Sequence, residues 1–196
     1  MAMGQIYPMN GIKTGSTTKD HIVDAALEVI LDTGVIGATF RRIATKAGVS
    51  PGTMTYYFSS INEILDAAFR KMVSQIAVVF RKRLMDARKP DEAVEAVVDL
   101  ICGDIWATPR HMLLSFELYA FASRQPQYQT VMTEWMDKSR DALYQHYDLK
   151  TASSLDAMIE GFTIHRHLNP DVISREEVRR CVSLIANASS KNKAEL

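Results

Sequence analysis

Apolar residues in this 196-residue chain return at every third or fourth position, and no stretch of consequence alternates apolar with polar as a half-buried strand would. Ile22, Val23, Ala26, Leu27, Ile30 and Leu31 trace one helical face, which stops at Thr33-Gly34. Ile61, Ile64, Leu65, Ala68, Phe69, Met72, Val73, Ile76, Phe80 and Leu84 trace another, opened by the capping box Ser60-x-x-Glu63. At about 1.5 Å per residue this second helix is roughly 40 Å long, enough to bridge two domains. Pro90 with Asp91 and Glu92, then Thr108-Pro109, Pro126 and Ser174-x-x-Glu177, punctuate further helices, and one more is expected over about 153–168. Val94, Val97, Val98, Ile101 and Ile105 form the apolar face of the helix from Pro90. The pattern predicts an all-α fold of about nine helices.

With 47% hydrophobic residues the chain is long enough to bury a real core. The longest strictly aliphatic or aromatic run is "IAVVF", and residues 1–16 lack the apolar stretch of a secretory leader. The expectation is a cytoplasmic protein that does not enter the membrane, with a flexible arm over 1–16. Cys102 and Cys181 lie in apolar-patterned segments and read as two buried thiols rather than a bridge.

One short segment departs from the apolar economy of the rest. Thr39 is a plausible N-cap for a helix of about ten residues carrying Ile43, Ala44 and Ala47, and Gly48 suits the left-handed position just past its end. Ser50 then caps a second short helix with Pro51 at its first position. Within it Met54 and Phe58, four apart, anchor one face, while Thr53, Tyr56 and Tyr57 with their hydroxyls occupy the other. Two short helices around a tight turn are the sequence form of a helix-turn-helix. A helix of eight residues spans about 12 Å, close to the width of the B-DNA major groove. Hydroxyls that give or accept hydrogen bonds suit phosphates and base edges. From 39 to 60 there are three basic side chains and no acidic one, and residues 1–89 carry a net charge of +5 against −5 for 90–196. Arg41 and Arg42 stand where one can meet a guanine edge and the other a phosphate.

Over about residues 17–66, "TFRRIATKAGVSPGTMTYYF" followed by "SSINEIL" resembles the tetracycline-repressor (TetR/AcrR) family. The resemblance implies a three-helix DNA-binding head over 17–62 and a helical ligand-binding and dimerisation body over 63–196. It also implies that Thr39, Arg41, Ser50, Pro51, Gly52, Thr53, Tyr56 and Tyr57 touch DNA, and Arg42 and Thr55 of the same segment complete the candidate DNA-facing set. Two positions depart from the family pattern: Thr55 stands where an aromatic is common, and Ile61 where a phosphate-binding lysine is common. The loss of that lysine should lower the salt slope of DNA binding by about one unit per site.

In the body, Trp106, His111, Met112, Phe116, Glu117, Tyr119, Met132 and Trp135 recur at helical spacing. Such a stripe can be plain core. With Glu117 and His111 among adaptable side chains it also suits a pocket for an apolar or aromatic effector, a cationic one included. The last two helices carry Met158, Ile159, Phe162, Val178, Val182 and Ile185, which either cover the core of one chain or pair with a symmetry mate as a four-helix interface. A two-fold dimer would place its heads on half-sites about 34 Å apart, hence on a palindromic operator.

Catalytic and metal patterns do not appear. His165 and His167 are two apart and point apart on a helix, with no carboxylate or cysteine at ligand spacing, and there is no nucleophile elbow, phosphate loop or HExxH. The expectation is a regulator without cofactor or metal, a repressor that binds double-stranded DNA as a homodimer and is released by a small molecule. The alternative is a helical adaptor whose degenerate helix-turn-helix binds protein.

Overall fold

A computed structural model describes residues 17–103, 106–169 and 171–189. Among them are nine α-helices: α1 (Thr18–Gly37), α2 (Phe40–Ala47), α3 (Pro51–Tyr57), α4 (Ile61–Asp86), α5 (Pro90–Cys102), α6 (Pro109–Arg124), α7 (Gln129–Leu143), α8 (Leu149–Leu168) and α9 (Arg175–Ala186). The arm over 1–16, Ile105 and Pro170 lie outside the described residues.

Local chemistry fixes most helix starts. The side chains of Thr17, Thr39, Ser50, Ser60, Thr108, Asp148 and Ser174 each accept the backbone N–H three residues on, satisfying a donor that the helix itself leaves open. At α1 the box is reciprocal: Asp20 accepts from the Thr17 hydroxyl at 2.7 Å and the Thr17 N–H at 3.0 Å, which together hold its carboxyl below the ordinary range. α1 breaks at Gly34 (φ 71°), where the sequence predicts its end, and one more turn follows to Gly37. Pro126 opens a single 3-10 turn, Pro126–Tyr128, before α7 begins at Gln129. α8 starts at Leu149, four residues before the expected 153, because Asp148 caps it.

The helices form a small head on a larger body. In the head, α1, α2 and α3 close over Ile22, Ala26, Ile30, Ile43, Met54 and Phe58, all essentially without exposure. α4 runs from the head into the body, burying Ile64, Phe69, Met72, Val73, Phe80 and Leu84. Charged side chains tie it to its neighbours: Lys71 meets Asp24 of α1, Arg70 reaches Glu134 of α7, and Arg83 meets Asp99 of α5 at 2.9 Å. α9 packs on α5 and α8, with Arg175 and Arg179 on Glu95 and Asp99. No described helix is long and apolar enough to cross a membrane. Cys102 and Cys181 are free thiols, partly rather than fully buried.

Candidate functional site

The head presents α3 by gripping one side of it. Gly48 takes the left-handed conformation (φ 66°), and the N–H groups of Gly48 and Val49 return to Thr45 and Ala44 at 3.2 and 3.0 Å, so the chain turns sharply into Ser50. Met54 is fully buried and Phe58 nearly so, with the Lys19 ammonium 5.2 Å over the Phe58 ring. Their burial dictates what faces out. Tyr56 is 81% exposed, Ser50, Pro51, Gly52 and Thr55 are exposed, and Thr53 and Tyr57 are half-buried. The Tyr57 ring meets Tyr56 edge-on at 4.9 Å, which restricts both rings. Ser50 Oγ and Thr53 Oγ1 are 2.9 Å apart. Thr55 Oγ1 donates back to the carbonyls of Pro51 and Gly52, so its hydroxyl is already engaged in the helix.

The basic side chains of α2 divide. Arg42 Nη1 donates to the Gly37 carbonyl at 2.8 Å and Lys46 pairs with Asp32 at 3.1 Å, so both brace α2 against α1. Arg41 and Thr39 are exposed along the groove that α2 makes with Val29, Asp32 and Thr33 of α1. Ile61 packs partly buried against the core, in keeping with its place on the apolar stripe of α4.

In the body, three of the expected pocket residues converge. The Trp106 and Trp135 rings meet at 5.5 Å in an edge-to-face arrangement, and Tyr119 stacks on Trp135 at 6.0 Å. Trp106 Nε1 donates to Ser115 Oγ at 3.3 Å, fixing the indole. Both tryptophans line a narrow cavity of ≈ 20 Å³ whose other walls include Phe80 of α4, Leu100 of α5, Ser139 of α7, and Asp156, Ile159 and Glu160 of α8. Tyr119 Oη donates to Glu160 Oε1 at 2.8 Å. Burial raises the carboxyls of Asp156 and Glu160 above their ordinary values and carries the Tyr119 phenol well above its own.

Other expected residues lie elsewhere. Met112 is fully buried core, Met132 and Phe116 are half-buried against the core, and Phe116 sits 5.7 Å from the His167 ring. His111, half-buried in the first turn of α6, gives its backbone N–H to the Thr108 cap. Glu117 is not among the pocket residues: its Oε2 accepts the Val35 N–H of α1 at 2.8 Å, so the charge placed there from sequence belongs to a contact between head and body. The pocket's acidic groups, Asp156 and Glu160, escaped sequence reasoning, although carboxylates one turn apart on either side of Ile159 are the visible trace. Val178 and Val182 are fully buried within the single chain and Ile159 lines the pocket, which corrects their assignment to an intermolecular face. Met158, Phe162 and Ile185 are half-buried, and Leu184 beside Ile185 is exposed.

Known proteins resemble both the head and the body of the chain. Residues 22–68 match the family model of bacterial regulatory proteins of the tetR family, and 88–187 match the tetracyclin repressor-like C-terminal domain. The HTH-type transcriptional regulator BetI of Escherichia coli O157:H7 is 25% identical over 169 residues, covering 79% of this chain and 84% of BetI. SCO7518 of Streptomyces coelicolor A3(2), a candidate transcriptional regulator, has a crystal structure that is 37% identical over 87% of this chain and 99% of its own, with a TM-score of 0.80. The multidrug binding protein EbrR complexed with proflavin is 25% identical over 86% of this chain and 99% of its own, with a TM-score of 0.66. An exposed hydroxyl-bearing α3 in a three-helix head, both family models and a structural likeness over 87% of the chain lead to one conclusion: the chain belongs to the TetR family of transcriptional regulators, with its DNA-binding domain at the N-terminal end.

Proposed function

We propose that this protein is a cytoplasmic repressor that binds a palindromic operator as a homodimer and is released by a small effector bound in the body. The head comprises residues 17–62 and the body 63–196. The exposure of Tyr56 beside Ser50, Thr53 and Thr55, on a helix whose opposite face is held by buried Met54, carries the DNA part. The exposed Tyr56 hydroxyl has no packing role, and a helix this short fits the major groove. Arg41 is the base- or phosphate-contacting cation of α2, and Tyr57 and Gly52 let α3 lie close to the backbone.

The effector part is supported by the pocket under Trp106 and Trp135 and by EbrR, a structural relative that holds proflavin. Half-buried Met158, Phe162 and Ile185 with exposed Leu184 support pairing of α8 and α9 across a two-fold axis. Release needs only that the effector prefer the body conformation with displaced heads; a coupling of about 1–3 kcal/mol changes operator affinity 5- to 150-fold.

Footprinting on the DNA upstream of the protein's own gene, at two salt concentrations, tests the reading. A protected palindrome with steep salt dependence is expected, and an adaptor that binds protein would leave no footprint.

A further inference from the structure

We infer that the head reads a thymine by its C5-methyl group, which the side-chain methyls of Thr45 and Thr55 receive in an apolar groove between α2 and α3. The inference rests on the reading of the head as an operator-binding module and adds to it a base that the operator must contain.

The groove has a volume of ≈ 490 Å³. Buried Ala44 and Met54 with half-buried Val49 form its floor, and Thr45, Pro51 and Thr55 stand exposed at its rim. Both rim threonines turn their hydroxyls back into their own helices. Thr45 Oγ1 donates to the Arg41 carbonyl at 2.9 Å, and Thr55 Oγ1 donates to the carbonyls of Gly52 and Pro51 at 3.1 and 3.3 Å. A threonine whose hydroxyl proton is spent on the preceding turn leaves its methyl for a partner. Arg41 is then the one side chain lining the groove that has protons to give outward. Thr55 adjoins Tyr56, which is 81% exposed, so the groove is continuous with the outward face of α3.

Base chemistry selects the occupant. Purine edges in the major groove carry N7 with an oxygen or amino group, cytosine carries an amino group and a bare C5–H, and thymine alone carries a methyl. A purine N7 pressed against this surface gives up its water and gains no donor except Arg41, which costs binding energy. Cytosine leaves the groove unfilled. The thymine methyl gains from both sides, since it and the threonine methyls leave water together.

The test uses the duplex that the full-length protein selects from a random pool of DNA, with each thymine replaced in turn by deoxyuridine, which lacks only the methyl. In gel-shift titrations, replacement of the thymine seated in the groove should weaken binding about fourfold, and replacement elsewhere should change it less than about twofold. Thr55→Ser, which keeps the hydroxyl and drops the methyl, should bind the thymine and deoxyuridine duplexes about equally. Thr55→Val, which keeps a methyl and drops the hydroxyl, should retain the preference. Position 55 is exposed, and thermal melts check that both variants stay folded. A selected duplex indifferent to methyl loss at every thymine, a preference that Thr55→Ser leaves at its parental size, or one that Thr55→Val abolishes overturns the inference and leaves operator binding intact. Failure to select any sequence overturns the operator reading, and this inference with it.

Discussion

The carboxylate of Glu117, midway along α6, accepts the backbone N–H of Val35 at 2.8 Å across 82 residues of sequence. Val35 follows the break in α1 at Gly34, so its amide is a donor that the interrupted helix cannot satisfy. A body side chain thus completes the hydrogen bonding of a head helix. Arg110, near the start of α6, adds a second link to Glu28 of α1 at 2.7 Å. Val35 is itself buried, so water replaces Glu117 poorly. Glu117→Ala should destabilise the folded state by about 1–2 kcal/mol in urea unfolding, and Glu117→Gln, which keeps an acceptor, should lose less than half of that.

Tyr56 and Met54 lie two residues apart on α3 and should fail in different ways. Tyr56→Ala removes an exposed ring, so its stability should stay within about 0.5 kcal/mol of the parent while operator affinity falls about tenfold. Met54→Ala opens a cavity in the head core and should cost about 2–4 kcal/mol of stability. Arg41→Ala should weaken binding and lower the salt slope by about one unit per head. Gel-shift titrations at several salt concentrations, paired with thermal melts, separate the three.

What could be read from sequence was local. The caps Thr39, Ser50, Ser60, Thr108 and Ser174 act on amides three residues away, and all five are where their spacing predicts. The outward face of α3 followed from Met54 and Phe58, because a helix seven residues long has one inner side. Long-range partners were not legible. Glu117 on a nearly apolar helix looks the same in sequence whether it faces a ligand or the Val35 amide. The stripe of α9 has one periodicity whether it covers α5 or a second chain, and Val178 and Val182 turned out to face their own core. Asp156 and Glu160 gained meaning only when α6 and α7 brought Tyr119 and Trp135 over them.

Gly34 and Gly48 have nearly the same positive φ but different surroundings. At Gly48 an added Cβ meets nothing within 4 Å, so Gly48→Ala should cost only backbone strain, about 1 kcal/mol. At Gly34 the Cβ would come within 3.2 Å of Glu117 Oε1 and press on the bond to Val35. Gly34→Ala should therefore cost about 2 kcal/mol or more. In the Glu117→Ala background that excess should vanish, a coupling that a double-mutant cycle in urea measures directly.

Glu160 also governs how stability varies with pH. Burial is the main cause that raises its carboxyl above 4.5; the Tyr119 hydroxyl opposes the shift and the nearby Asp156 charge adds to it. Asp156 is raised above 3.8 by burial, against the pull of the Ser139 hydroxyl and Arg140, with Asp137 adding to the rise. The α4 and α5 walls facing these groups, Ile76, Ala77, Phe80 and Leu100, bear no charge. A carboxyl whose folded value is raised stabilises the fold most fully below its unfolded value, and that contribution is lost as pH climbs through the folded value. Asp99, held low by Arg175 and Arg83 despite its burial, has the opposite slope. The slope of unfolding free energy against pH, measured from pH 4 to 7, should therefore be more positive in Glu160→Gln than in the parent, since the variant keeps the Asp99 and Asp156 contributions and lacks one of the two opposing ones. An unchanged slope would place the Glu160 carboxylate in a solvated setting, outside the enclosure formed by Trp106, Trp135 and Ile159.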